Sequence, residues 1–336
     1  MSAPLPPGVR ERTVEVPSLE GRPIRMHLLE AGDEGPLVVL CHGFPELAWS
    51  WRHQLPALAE AGYRVVAPDQ RGYGGTDRPE AVEDYDIFHL TGDLVGLLDL
   101  LGEEQAVFVG HDWGSLVAWQ LALLHPERVS GVCGMSVPFV PRAPAPPVEI
   151  FRVIFQDRFF YILYFQEPGV ADAELGSDPA RTMRRMLAGL ADPADLTPEQ
   201  ASAAGALDGR GFVDRLPEPD GLPAWLTQPE LDHYVEVFAR TGFTGGINWY
   251  RNLDRNWELT PQLDGARVDA PSFFIGGAVD PVLRMTSPEG QEAWLSDHRG
   301  SMLIDGVGHW VQQEAPEQVN AALLGFLDQL REGTTS

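Results

Sequence analysis

Apolar residues run along the chain in two rhythms. Short unbroken runs (LVVLCHG, YRVVAPD, AVFVGHD, VSGVCGMSV and APSFFIGGAVD) alternate with longer stretches in which apolar positions recur every three or four residues, such as IFHLTGDLVGLLDLLG and WGSLVAWQLALLH. Runs of the first kind read as strands buried on both faces, and stretches of the second kind as helices with one packed side. Ahead of them, RTVEVPS and IRMHLLEAG predict an antiparallel strand pair, and SWRHQLPALAEAG predicts a helix between the first two buried strands. Strand and helix then alternate, which implies a parallel sheet with helices on both faces.

The rhythm stops at Pro138, where PFVPRAPAPPVE can join neither a helix nor a central strand. From there to about Pro261 the pattern is helical and rich in aromatic residues, with a variable loop expected over ADPADLTPEQASAAGALDG. The sheet rhythm returns with APSFFIGGAVD and SMLIDGVGHW and closes in a helix over PEQVNAALLGFLDQL, and no internal repeat is found. The reading is an α/β fold with a mostly parallel central sheet. Residues 1–138 and 262–336 form its core, and 139–261 are an inserted helical domain placed to cover the ligand crevice at the carboxyl ends of the strands.

Composition narrows the function. With 44% apolar residues over 336 positions the chain can bury a sizeable core. Its 49 acidic residues against 24 basic ones leave a net charge of −25, which disfavours nucleic acid and anionic lipid as partners. All 24 basic residues are arginine, so Schiff-base chemistry and a P-loop lysine are excluded. Cys41 and Cys133 sit in apolar runs and read as core residues of a reducing compartment. No signal peptide or bilayer-spanning run is present, so a cytoplasmic protein without membrane insertion is expected. No cofactor and no metal are expected.

The chemistry concentrates at VFVGHDWGSL, which has the outline of a nucleophile elbow with Asp112 at its apex. A serine attacking a saturated carbon would form an inert ether, whereas a carboxylate forms an ester that water can cleave. An aspartate nucleophile therefore points to an alkyl electrophile such as an epoxide or an alkyl halide. Gly110 and Gly114 permit the sharp turn, and the helix starting at Trp113 directs its amides towards Asp112, favouring the ionised form. The turn CHGFPE aims the Phe44 amide into the site, where it forms an oxyanion hole with that of Trp113. Of nine histidines, His309 in DGVGHW stands where a base is required, with Asp280 at the end of FFIGGAVD as its orienting acid. His27, His53, His89, His125, His233 and His298 are read as structural or solvated residues lacking such a partner, and His42 and His111 as shaping the turns.

HGFPE, GHDWGS, YFQEPGVADAEL, NWYRN and GHWVQQEAPE occur in that order, and with them the chain, from about Val14 to Leu330, resembles the epoxide hydrolases of the α/β-hydrolase superfamily. The similarity is to the hydrolase domain of the soluble enzymes and to their bacterial and plant relatives. The resemblance implies two tyrosines that hydrogen-bond the epoxide oxygen, Tyr161 and Tyr250, with Tyr164 a rival to the first. It implies conversion of an apolar epoxide and water to a vicinal diol through an alkyl ester on Asp112, hydrolysed by water that His309 activates. Phe139, Phe165, Trp249, Val282, Leu283 and Trp310 are expected to line an apolar pocket together with Phe44 and Trp113. No phosphatase domain of the mammalian kind precedes the core, and Ile162 replaces a polar residue of the mammalian enzymes. A homodimer is compatible with the resemblance. A haloalkane dehalogenase, which shares the elbow aspartate and the following tryptophan, is the competing reading, and a non-catalytic binder on the same scaffold is the third.

Overall fold

A computed structural model describes residues 5–189 and 204–333. Most of the segment expected to form a variable loop, residues 191–203, lies outside the described residues. Among those described, eight strands form one sheet: β1 (Arg10–Val16), β2 (Ile24–Ala31), β3 (Leu37–Cys41), β4 (Arg64–Pro68), β5 (Ala106–His111), β6 (Val129–Met135), β7 (Ser272–Gly277) and β8 (His298–Ile304). Their order across the sheet is β1-β2-β4-β3-β5-β6-β7-β8. The first two pair antiparallel from Arg10 opposite Glu30 to Val16 opposite Ile24, and β2 lies antiparallel on β4. Every other pairing is parallel.

The unbroken apolar runs occupy the middle of this sheet. All residues of β3 and β5 are buried, as expected of strands covered on both faces. Between β3 and β5 the strand order reverses, because the chain leaves β3 towards β4 on one side and returns through β5 on the other. A parallel sheet opens a crevice at such a switch point, beyond the carboxyl ends of the strands. The segments at that point are His42–Gly43–Phe44, after β3, and Asp112, after β5.

Helices α1 (Gln54–Glu60), α2 (Ile87–Leu101) and α3 (Trp113–Leu124) follow β3, β4 and β5, and Pro316–Gly333 closes the chain. The helix expected over SWRHQLPALAEAG is interrupted: Ala48–Trp51 is a single 3-10 turn and α1 begins only at Gln54. Pro56 accounts for the late start, since proline is tolerated within the first turn of a helix but not in its interior.

The chain divides into two compact units. It leaves the sheet unit at Asp77, returns at Ile87, leaves again at Pro141 and re-enters at Gly265. The helical unit, Arg142–Asp264 with Arg78–Asp86, has its own core in Phe165, Phe238, Phe243 and Trp249. Arg251 secures it internally, ion-paired with Asp172 at 2.5 Å and donating from Nε to the Phe165 carbonyl at 3.0 Å. Arg78–Asp86 belongs to this unit because Asn252 Nδ2 donates to the Val82 carbonyl at 2.6 Å and Arg255 pairs with Asp86 at 3.1 Å. Among the described residues no helix is long and apolar enough to cross a membrane.

Candidate active site

Asp112 joins the end of β5 to the start of α3 with φ 52° and ψ −118°, a conformation that non-glycine residues rarely adopt. Two close approaches force the turn. A Cβ on Gly114 would run into the Cys41 and His42 carbonyls, and one on Gly43 would run into the Asp112 side chain. The strained aspartate is held by what surrounds it. Its N–H donates to the Met135 carbonyl at 3.1 Å, and Phe44 N–H donates to its Oδ1 at 2.8 Å. The backbone N–H of Trp113 bonds the same carboxylate. The two amides expected to form an oxyanion hole thus converge on the carboxyl group of Asp112.

On the other carboxylate oxygen faces His309. Its Nε2 lies 3.8 Å from Asp112 Oδ2, and its Nδ1 lies 3.0 and 3.1 Å from the two oxygens of Asp280. Asp280 is buried, and one of its oxygens also accepts from the Val282 N–H at 2.8 Å. The ring is therefore anchored through Nδ1, and Nε2 faces Asp112 beyond hydrogen-bond distance. The sheet unit brings Phe44, Asp112, Trp113, Asp280 and His309 together from four separate stretches of sequence.

Electrostatics couple the pair. Burial pushes the Asp112 carboxyl up from its usual value, and the opposing pull of His309, His111 and the two amides offsets this only in part. The Trp113 amide at the helix start favours the ionised form, as expected, but desolvation outweighs it. For His309, burial opposes protonation, yet Asp280, with Asp112 and Glu46 behind it, raises the ring to about 9. His309 thus lies between the carboxyl groups of Asp280 and Asp112, both of which favour positive charge on its ring.

Behind the elbow lies a carboxylate that sequence reasoning did not single out. Glu46, fully buried, accepts from Gly43 N–H at 3.0 Å, Gln312 Nε2 at 2.8 Å and Gln313 Nε2 at 3.0 Å, and pairs with His111 Nδ1 at 2.6 Å. Burial opposes its charge, but His111 and the Gly43 amide hold it at about 2. Its only signal in the sequence was a charged residue in HGFPE with apolar residues after it. His42 works in the same turn: its Nδ1 donates to the Gly43 carbonyl at 2.9 Å, and its Nε2 accepts from Gln70 N–H at 3.0 Å. One expectation about the remaining histidines is overturned. His27 does have a carboxylate partner, Asp69, at 2.9 Å, because β2 and the segment after β4 adjoin in the sheet.

In the helical unit Tyr161 and Tyr250 pack edge to face with ring centroids 5.9 Å apart, and Phe165 meets both. Tyr164 points elsewhere. It hydrogen-bonds Glu174, and burial together with that carboxylate raises its hydroxyl to about 12. Of the residues expected to line a pocket, Phe165 and Trp249 are buried in the helical unit. Phe139, Val282, Leu283 and Trp310 belong to the sheet unit. Phe139 packs on Trp119, Trp310 stacks edge to face on His309 with centroids 4.8 Å apart, and Val282 and Leu283 lie half-buried in the turn after Asp280.

Comparison with known proteins bears on this geometry. Residues 36–316 match the family described as the alpha/beta hydrolase fold. Epoxide hydrolase A of Mycobacterium tuberculosis (strain ATCC 25618 / H37Rv) is 60% identical over 305 residues, spanning 90% of this chain and 94% of that protein. The bifunctional epoxide hydrolase 2 of Rattus norvegicus is 40% identical over 306 residues, which are 90% of this chain and 53% of that protein. Among solved structures, epoxide hydrolase A from Mycobacterium thermoresistibile superposes with a TM-score of 0.90 at 59% identity, over 95% of this chain and 98% of that one.

Proposed function

Because the chain belongs to the epoxide hydrolases of the α/β-hydrolase fold, we propose that it opens an apolar epoxide through a covalent ester on Asp112 and releases a vicinal diol. The observation that carries this reading is the pairing of Asp112 with His309. One carboxylate oxygen is held by the Phe44 amide, and the other faces a histidine whose far nitrogen is fixed by Asp280.

In the first half-reaction a carboxylate oxygen of Asp112 attacks an epoxide carbon and the C–O bond of the ring breaks. Tyr161 and Tyr250 hydrogen-bond the leaving oxygen and hand it a proton, which the imidazolium of His309 ultimately replaces. The ester carries no charge, so one of the influences that kept His309 protonated is gone. Neutral His309 then takes a proton from water, and the resulting hydroxide attacks the ester carbonyl. The Phe44 and Trp113 amides that held the carboxylate stabilise the oxyanion. Collapse frees the diol and restores both the Asp112 carboxylate and the His309 imidazolium, so protons balance over the cycle. The tyrosines come from the helical unit, and the resemblance to the epoxide hydrolases assigns Phe139, Phe165, Trp249, Val282, Leu283 and Trp310 to apolar contacts with the substrate.

The test is product analysis with tyrosine variants. The protein should form diol from styrene oxide and release no halide from a haloalkane. Tyr161→Phe and Tyr250→Phe should each slow ring opening by roughly ten- to a thousandfold, the usual range for one proton donor. Tyr164→Phe should leave it nearly unchanged, because that hydroxyl is engaged with Glu174. Halide release without diol, or a Tyr164 variant more damaging than Tyr161→Phe, would overturn the assignment.

The two half-reactions should depend on pH differently. Alkylation needs Asp112 ionised, and burial raises its pKa, so ester formation falls with acidification at a pH above the ordinary carboxylate range. Ester hydrolysis needs His309 neutral and rises with pH. Its midpoint lies below the resting value of about 9, because the charge on Asp112 has been removed by then. Single-turnover ester decay that is flat between about pH 5 and 10 would exclude His309 as the base.

A further inference from the structure

Among the described residues two that are not glycine have positive φ. One is Asp112, and the other is Ser136, at φ 61° just beyond β6. They stand at the ends of neighbouring strands, for β5 and β6 pair as far as His111 opposite Met135. Glycine would occupy the left-handed region without strain, and asparagine is the side chain that visits it most readily among polar residues. Serine has neither advantage, so its hydroxyl must account for its presence. Ser136 is fully buried, its N–H donates to the Ile275 carbonyl at 3.0 Å, and its Oγ donates to the main-chain carbonyl of His309 at 2.8 Å.

That carbonyl accepts a second bond, from His111 Nε2 at 2.8 Å, so both of its lone pairs are used. The two donors come from the ends of β5 and β6, on either side of the strained turn that presents Asp112. The side chain of His309 is fixed by Asp280, but that fixes only the far edge of the ring relative to the strand end after β7. Where Nε2 lies relative to Asp112 depends also on the main chain of residue 309, and this is the atom group that Ser136 and His111 clamp to the strands carrying the nucleophile. A serine hydroxyl that merely satisfied itself would not need a strained backbone to do so.

We infer that Ser136 is a positioning residue for the second half-reaction, holding the base in register with the nucleophile through the His309 carbonyl. The inference rests on the assignment of His309 as the base for ester hydrolysis. Ester formation does not require that alignment, because the carboxylate attacks without a base.

Three variants separate the hydroxyl from the backbone. Ser136→Gly removes the hydroxyl and relaxes the turn, Ser136→Ala removes it and keeps the strain, and Ser136→Asn restores a donor in a residue suited to positive φ. In single-turnover reactions with styrene oxide, followed by intact-protein mass spectrometry, the glycine and alanine variants should form the ester at close to the normal rate. They should hydrolyse it about ten- to a hundredfold more slowly, the scale on which a misplaced catalytic group loses rate. The asparagine variant should recover most of that loss. His309→Gln is run alongside. If it arrests at the ester while Ser136→Gly hydrolyses normally, the inference fails and the mechanism stands. An equal slowing of both half-reactions in Ser136→Gly also overturns it, since a general distortion would then be the cause. If His309→Gln itself never accumulates ester, the mechanism fails and takes this inference with it.

Discussion

Replacing Asp112 with alanine lowers diol formation by roughly four to six orders of magnitude, the loss expected when a covalent nucleophile is removed from an otherwise intact site. The loss comes from chemistry and not from unfolding. Folding places the Asp112 carboxyl where burial raises its pKa, so at neutral pH its ionised form is less stable in the native protein than in the unfolded chain. Deleting it therefore leaves the thermal midpoint unchanged or higher, even though Phe44 N–H loses its acceptor. The parent protein adds an isotopic check. In a single turnover in heavy-oxygen water the label should enter the Asp112 carboxyl and not the diol, because ester hydrolysis delivers the water oxygen to the carboxyl carbon. Label found in the first-turnover diol would mean direct attack by water and would overturn the covalent route.

His309→Gln should separate the cycle into halves. Turnover falls by at least about 10²- to 10⁴-fold, the contribution of a general base, while a stoichiometric adduct with the mass of the epoxide builds up on the GHDWG peptide. Glutamine has no basic nitrogen to take a proton from water, yet it can still donate towards Asp280. The substitution has a second consequence. His309 is the strongest of the influences that lower the Asp112 pKa, so its removal moves the acid limb of ester formation to higher pH. An inactive variant that never gains mass would place His309 before alkylation, or the nucleophile somewhere other than Asp112.

How far the sequence could be read depended on how far apart the interacting residues lie. The parallel strands were readable because burial on both faces leaves unbroken apolar runs, and the antiparallel start because its alternation is local. Asp112 follows β5 directly, and Asp280 and His309 stand in the turns after β7 and β8, so topology predicts that their carriers converge at one end of the sheet. What could not be read depends on contacts across hundreds of residues. Glu46 in its motif looks like any turn carboxylate until Gln312 and Gln313 arrive on it. Ser136 gives no sign of its positive φ, because serine is not a residue that advertises that conformation. The allegiance of Arg78–Asp86 to the helical unit rests on Asn252 and Arg255, which no local pattern connects to it. The choice between Tyr161 and Tyr164 is a matter of one helical turn, and their environments differ through contacts that no local pattern shows: Tyr250 packs on Tyr161, and Glu174 takes up the Tyr164 hydroxyl.

The bonds from Gln312 and Gln313 to Glu46 join residues 266 and 267 positions apart. Pairings of such high sequence separation form late, because so much chain entropy must be lost before any contact rewards it. During synthesis the elbow carboxylate is made long before the histidine that frees it, and until it is buried Asp112 is an ordinary solvated aspartate without the geometry of the elbow. Burial raises its pKa, and His309, which arrives with the loop after the last strand, offsets that rise in part, so the shaped nucleophile and its means of release are completed together.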